Sequence, residues 1–163
     1  MTSNDHSVLI ERLKSGELDA VVTNHPAYGS DIRIIADLSM PVIAVAAARL
    51  FKKLGIKKKE SFSKTIKEKD VGLVLPSDNL NIRIETDSFL QKLRLHNSVV
   101  FESDILAVVV RAVVEGVGVA FLPRPYVAKE LNHETLIPIG SEDFLWQHNI
   151  FIIARNTKTP DPV

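Results

Sequence analysis

Apolar residues along this chain fall into two rhythms, a helical one and a run-or-alternation one, and they take turns from end to end. Val8, Leu9, Ile10 and Leu13 share one side of a helical turn pattern, with Gly16 placed where a left-handed C-cap residue is wanted, so Asp5 to Ser15 is predicted helical. Leu18 to Thr23 carries Ala20, Val21 and Val22 as an unbroken apolar run, the pattern of a strand covered on both faces. After a turn at Tyr28, Gly29 and Ser30, Ile32, Ile34 and Ala36 alternate with Asp31, Arg33 and Asp37, as in a strand with one wet face. A separate strand is expected from Met40 to about Ala47.

Beyond a lysine-rich connection, Val71 to Leu75 is a short apolar strand stopped by Pro76, and Ser77, Asp78 and Asn79 offer helix-capping side chains. The helix that follows shows Ile82, Phe89, Leu90 and Leu93 on its buried side and leads to a strand from Ser98 to Phe101, which completes a βαβ unit. Ser103 or Asp104 can cap the next helix, Ile105 to Val114, apolar nearly all round and therefore expected to lie buried between layers. Gly116 ends it. Val117 to Leu122 makes a strand, Pro123 and Pro125 open a short helix bearing Tyr126, Val127 and Leu131, and Leu136 to Ile139 and Asn149 to Ala154 close the series as strands. The polar tail from Asn156 to Val163 is expected to fray. This alternation implies an α/β architecture with mainly parallel sheet.

Charge narrows the function. Twenty basic and twenty acidic residues give zero formal charge, whereas a domain that grips DNA through phosphates carries a basic surplus. One local excess exists: Lys52 to Asp70 holds eight lysines against Glu60, Glu68 and Asp70, and is expected to be a solvated helix and loop. A chain of 163 residues buries enough surface to need no disulfide, and the absence of cysteine fits a cytoplasmic protein. Met1 to Ser7 is polar, so no export leader is expected, and runs such as Val42 to Ala48 are far too short to span a membrane.

Two stretches carry a family resemblance. Leu9 to Pro26, LIERLKSGELDAVVTNHP, resembles the LysR-type segment in which a helix ends in Gly-Glu-Leu-Asp and runs into a buried strand. Glu102 to Ala128, ESDILAVVVRAVVEGVGVAFLPRPYVA, resembles the same family's helix, glycine pair and Leu-Pro-Arg exit more closely still. Order and spacing match from Leu9 to Arg155. The resemblance implies the effector-binding regulatory domain of a LysR-type transcription regulator: a periplasmic-binding-protein-like (type 2) α/β domain of two lobes, with a small-molecule or ion effector in the cleft between them. The first lobe would take residues 1–41 and 138–163, the second 42–137, with crossing strands near Met40 to Ala47 and Ile137 to Ile152. The family's opening strand, helix and strand are expected to be missing before Asp5, and its last helix after Arg155. DNA would be bound only through a domain not included here, membranes not at all, and the chain would self-associate, as a dimer or tetramer in the full-length protein. Leu75 to Leu90, LPSDNLNIRIETDSFL, is also similar to regulators of sodium/proton antiporters within the family.

Enzyme chemistry finds no foothold. There is no Gly-x-Ser-x-Gly elbow, His-Glu-x-x-His pair or cysteine nucleophile, and no cofactor is called for. His6, His25, His96, His133 and His148 lack ligand spacing and are expected at the surface or in turns. Gly116 and Gly118 imitate a dinucleotide fingerprint but follow a helix, precede a strand, and have Phe121 at the third glycine position. Binding is better served, because ligands in open α/β sheets sit beyond the carboxyl ends of strands. Thr23 and Asn24, then Ser77, Asp78 and Asn79, then Glu102, Ser103 and Asp104 occupy such ends, and each group is equally explained by capping and turn formation. The resemblance places all three groups at the cleft, with Phe121 as a candidate for its floor. A free-standing solute-binding protein of the same fold is the alternative reading, since fold does not separate the two.

Overall fold

A computed structural model describes residues 3–57, 60–69 and 71–156. The chain divides into two compact units, Met40–His148 and a flanking unit of Met1–Ser39 with Asn149–Val163.

In the flanking unit, α1 (Ser3–Lys14) stops at Gly16, whose φ of 83° is the left-handed C-cap the sequence called for. β1 (Ala20–Thr23) follows and pairs antiparallel with β7 (Trp146–Arg155), Ala20 opposite Ala154 and Thr23 opposite Phe151. β2 (Ile32–Ala47) lies on the other side of β7. Leu13, Ile10, Val21, Ile32 and Ile153 form the core. β1 is covered on one face only, contrary to expectation: Val21 and Thr23 are buried, whereas Val22 is 63% exposed. Three adjacent apolar residues cannot reveal that α1 covers only alternate ones.

In the Met40–His148 unit the second half of β2 becomes a central strand. It pairs antiparallel with β5 (Ala120–Pro123) and with β6 (Leu136–Ile139), while β3 (Leu73–Pro76) pairs parallel with β4 (Val99–Ser103). A parallel bridge, Leu73 to Val119, joins the β3–β4 pair to the strand entering β5. The mainly parallel sheet expected from sequence is thus corrected: parallel pairing is confined to the βαβ series, and the long strands pair antiparallel. The expected break between a strand near Ile32 and another at Met40 is also absent, because Asp37, Leu38 and Ser39 simply form an exposed stretch of one continuous strand.

Strict alternation then decides which side chain goes where. Val42, Ala44 and Ala46 enter one core with Phe121, while Ile43 and Val45 enter another with Ala120 and Leu122. The first core lies under α2 (Ala48–Lys53), α3 (Phe62–Glu68) and α4 (Asn81–Lys92), through Phe51, Phe62, Ile66, Ile82 and Leu90. The second lies under α5 (Leu106–Val114) and α6 (Ala128–Asn132), through Val109, Ala112, Val113 and the partly buried Leu131. The glycine pair has two separate tasks here. Gly116 takes φ 71° to end α5, and a side chain at Gly118 would collide with the Gly72 carbonyl where the chain runs beside β3.

α5 departs from its sequence reading. Val109 and Val113 are fully buried, but Ile105 is 58% and Val108 40% exposed. The helix covers one face of the sheet, and among the described residues nothing covers its outer side. In the lysine-rich connection, Lys52, Lys53, Lys57, Lys64 and Lys67 are exposed as expected, while Lys58 and Lys59 lie outside the described residues. Apart from Asn156, so does the tail expected to fray.

Candidate effector-binding site

β3 and β4 run parallel with Leu75 opposite Glu102 and Pro76 opposite Ser103, so their carboxyl ends, and the loops that leave them, lie side by side. This brings Ser77, Asp78 and Asn79 next to Glu102, Ser103 and Asp104. Two contacts fasten the loops together. The Ser77 amide donates to the Ser103 carbonyl at 2.9 Å, and the Arg83 guanidinium donates to the Pro76 carbonyl at 2.8 Å and to Glu102 Oε2 at 2.7 Å. Arg83 also grips both Asp87 oxygens through Nε at 3.0 Å. Its side chain is only 14% exposed. Partial burial works against its charge, but the hydrogen bonds to Glu102 and Asp87 outweigh burial and hold its pKa above the ordinary arginine value.

The capping expected of these polar residues takes another form. α4 begins after Leu80 and α5 after Ile105, and neither helix has a side-chain cap. Ser77 instead closes a turn, its carbonyl accepting from the Leu80 amide at 3.1 Å, and Ser103 Oγ accepts from the Ile105 amide at 3.1 Å, just ahead of α5. Neither N-cap residue, Leu80 or Ile105, caps its helix with a side-chain oxygen, and both loops lie at the positive ends of the helix dipoles. Asp78 and Asp104 are exposed and, among the described residues, form no ion pair, whereas Glu102 is neutralised by Arg83.

Thr23, Asn24 and Phe121 are not part of these two loops. Thr23 and Asn24 belong to the flanking unit, where Thr23 Oγ1 donates to the His25 carbonyl at 2.6 Å and Asn24 Nδ2 to the Asn149 carbonyl at 2.9 Å. Phe121 has no exposed surface and sits in an aromatic core, its ring centroid 5.4 Å from Phe62 and 5.9 Å from Trp146.

Two features were not singled out from sequence. Arg83 is one; its near signal was the spacing to Asp87, one helical turn away, but its partner Glu102 comes from the next strand. The other is a carboxylate node on the same helix. Glu85 Oε2 accepts from Trp146 Nε1 at 2.9 Å and lies 2.8 Å from His148 Nδ1. His148 is buried, which corrects the expectation that every histidine sits at the surface or in a turn. A carboxylate and an indole edge fill its surroundings, so burial leaves it hydrogen bonded. Among the described residues no group of three or more side chains is arranged to hold a metal ion.

The fold is that of a periplasmic-binding-protein-like type 2 α/β domain. Residues 1–163 match the LysR substrate binding domain, and the chain belongs to that family. No curated protein matches it. Among solved structures it is similar to the regulatory domain of HypT from Salmonella typhimurium, with 17% identity and a TM-score of 0.71, covering 95% of this chain and 72% of that one. It is also similar to VV2_1132, a LysR family transcriptional regulator, with 20% identity and a TM-score of 0.67, covering 98% of this chain and 51% of that one. A third similar structure is the Synechocystis PCC6803 CcmR regulatory domain in complex with 2-PG, with 15% identity and a TM-score of 0.69, covering 94% of this chain and 72% of that one.

Proposed function

We propose that this chain is the sensing part of a cytoplasmic LysR-type transcription regulator and that the loops at Ser77–Asn79 and Glu102–Asp104 contact its effector. The observation that carries this reading is the pairing of two uncapped helix starts on loops locked together by Arg83, in a chain of this family. Such a frame is preorganised, so a ligand need not spend binding energy ordering it. Relatives of the same fold are known in complex with 2-PG and with shikimate.

The charge at these loops favours a cation, an amine or a zwitterion. Each helix start attracts an anion by roughly 0.3 to 1 kcal/mol, and Asp78 and Asp104 oppose that preference with full charges. A ligand at 100 times its dissociation constant stabilises a fold by about 2.7 kcal/mol, enough for a clear melting shift. Thermal melts with amines, amino acids, small acids and alkali or calcium salts against chloride-matched controls should give shifts for amine-bearing compounds or cations, weakened by Asp104→Asn and Ser103→Ala. Shifts confined to simple acids and unchanged in both variants would refute the site and its charge preference together.

Self-association belongs to the same reading. Val99 and Val100 on the edge strand β4 are 46% and 51% exposed, as are Ile105 (58%) and Val108 (40%) at the outer side of α5, and these are apolar side chains that a second copy would cover. Light scattering should show a dimer at rising concentration, weakened by Val108→Asp; a monomer throughout would exclude this contact.

A further inference from the structure

On the outer surface of the Met40–His148 unit, α5 and the segment from Tyr126 to Thr135 enclose a groove of about 490 Å³. That volume falls within the roughly 300 to 1,000 Å³ usual for small-molecule sites. None of Ser77, Asp78, Asn79, Glu102, Ser103 or Asp104 lines it, and it does not rest on the site proposed there.

One wall of the groove is a face of α5, and the other is made by the 3-10 turn Arg124–Val127, α6 and the residues just after it. α5 contributes Ala107, Val110, Arg111 and Val114, and the opposite wall contributes Tyr126, Lys129, Glu130 and His133. Both sets follow the spacing i, i+3, i+4, i+7 that lines up one side of a helix. Their chemistry differs from wall to wall. Ala107, Val110 and Val114 make an apolar surface, whereas the other side presents a phenol, an ammonium and an imidazole. Among the described residues the side chains of Tyr126, Lys129 and His133 form no hydrogen bond or ion pair. Arg111 adds a second cation at the rim, shared with Glu115, and Glu130 is the one carboxylate in the lining.

We propose that this groove is a second ligand site, for a small organic acid with a flat or branched apolar body. The body would lie on Val110 and Val114, the carboxylate would meet Lys129, and Arg111 would be drawn from Glu115 toward it. An apolar wall facing unclaimed donors suits an amphipathic anion better than a sugar, which would leave the valines uncovered, or a bare phosphate, which would leave them wet.

The test uses 2-naphthoate as probe, with 2-naphthamide and inorganic phosphate as controls, followed by amide chemical shifts of the isotope-labelled chain. Saturable shifts at residues 107–114 and 126–135 are expected with naphthoate, with affinity about tenfold weaker for the amide and about tenfold weaker in Lys129→Glu. Val110→Trp, which fills the groove, should abolish binding, and the exposed Lys129→Glu keeps the test decisive should the tryptophan variant not fold. Equal binding of acid and amide, equal affinity in Lys129→Glu, or no saturable response at millimolar probe would overturn the proposal. So would line broadening that grows with protein concentration and vanishes in Val110→Trp without any naphthoate response, since the groove would then be a contact between copies.

Discussion

The Met40–His148 unit and the flanking unit contain similar apolar runs and use them differently. In the larger unit β2 has helices on both sides, so Val42 to Ala47 are all buried and consecutive residues serve two separate cores. In the flanking unit the same kind of run, Ala20 to Thr23, meets one helix, and every second residue faces out. Burial is decided by how many layers a strand meets, which is a property of its neighbours. The first unit therefore owes its stability to packing on two fronts, while the second depends on a handful of contacts around Leu13 and Ile153.

The sharpest way to break this contrast is on α5. Val113→Asp places an unpaired charge where no water reaches and should destabilise the larger unit by about 4 kcal/mol or more, read as a lost or much earlier denaturant midpoint. A midpoint close to that of the parent chain would mean that the second core is not closed.

In the flanking unit the expected effect is a gentler dependence on pH. The His6 pKa is lowered from 6.5, first by burial and then by the nearby His25, whose ring lies 5.8 Å away centre to centre. The unfolded chain therefore takes up the proton before the folded one does. Stability is intact above pH 6.5 and falls as the pH drops through and below that value. Melting followed between about pH 7 and pH 5 should show this slope, and His6→Asn should flatten it. An identical slope in the variant would remove His6 as its source.

The smallest effect is expected on the same helix as the largest. Val108→Asp, on the exposed side of α5, should alter monomer stability by no more than about 1 kcal/mol, and an effect as large as that of Val113→Asp would mean both sides of the helix are buried.

That pair also shows where sequence reading reaches its limit. Leu106 to Val114 is apolar nearly all round, Arg111 apart, and a helix of that composition looks enclosed until its neighbours are known. The βαβ order from Leu73 to Ser103 was legible because each element is short, bounded by Pro76 or by polar residues, and faithful to one period. A separate strand from Met40 is expected because Asp37 and Ser39 interrupt the apolar residues, although a strand with an exposed stretch tolerates them without a break. At the candidate site, strand order put Ser77–Asn79 and Glu102–Asp104 at the carboxyl ends of strands, and the family resemblance is what grouped them. The role of Arg83 was not legible, since it rests on a partner nineteen residues away, and no local pattern encodes that distance.

The path of β7 also has a consequence for the order in which the molecule can be built. β1 is made well before its partners Phe151 to Ala154, so the pairing seen between β1 and β7 cannot form until the whole Met40–His148 unit between them has been synthesised. The larger unit closes sooner, once β6 has emerged to join β2. Until β7 follows, β1 lacks the partner it has in the folded chain while the Met40–His148 unit condenses downstream, and this is the interval in which a chaperone or a premature partner would find its open edge.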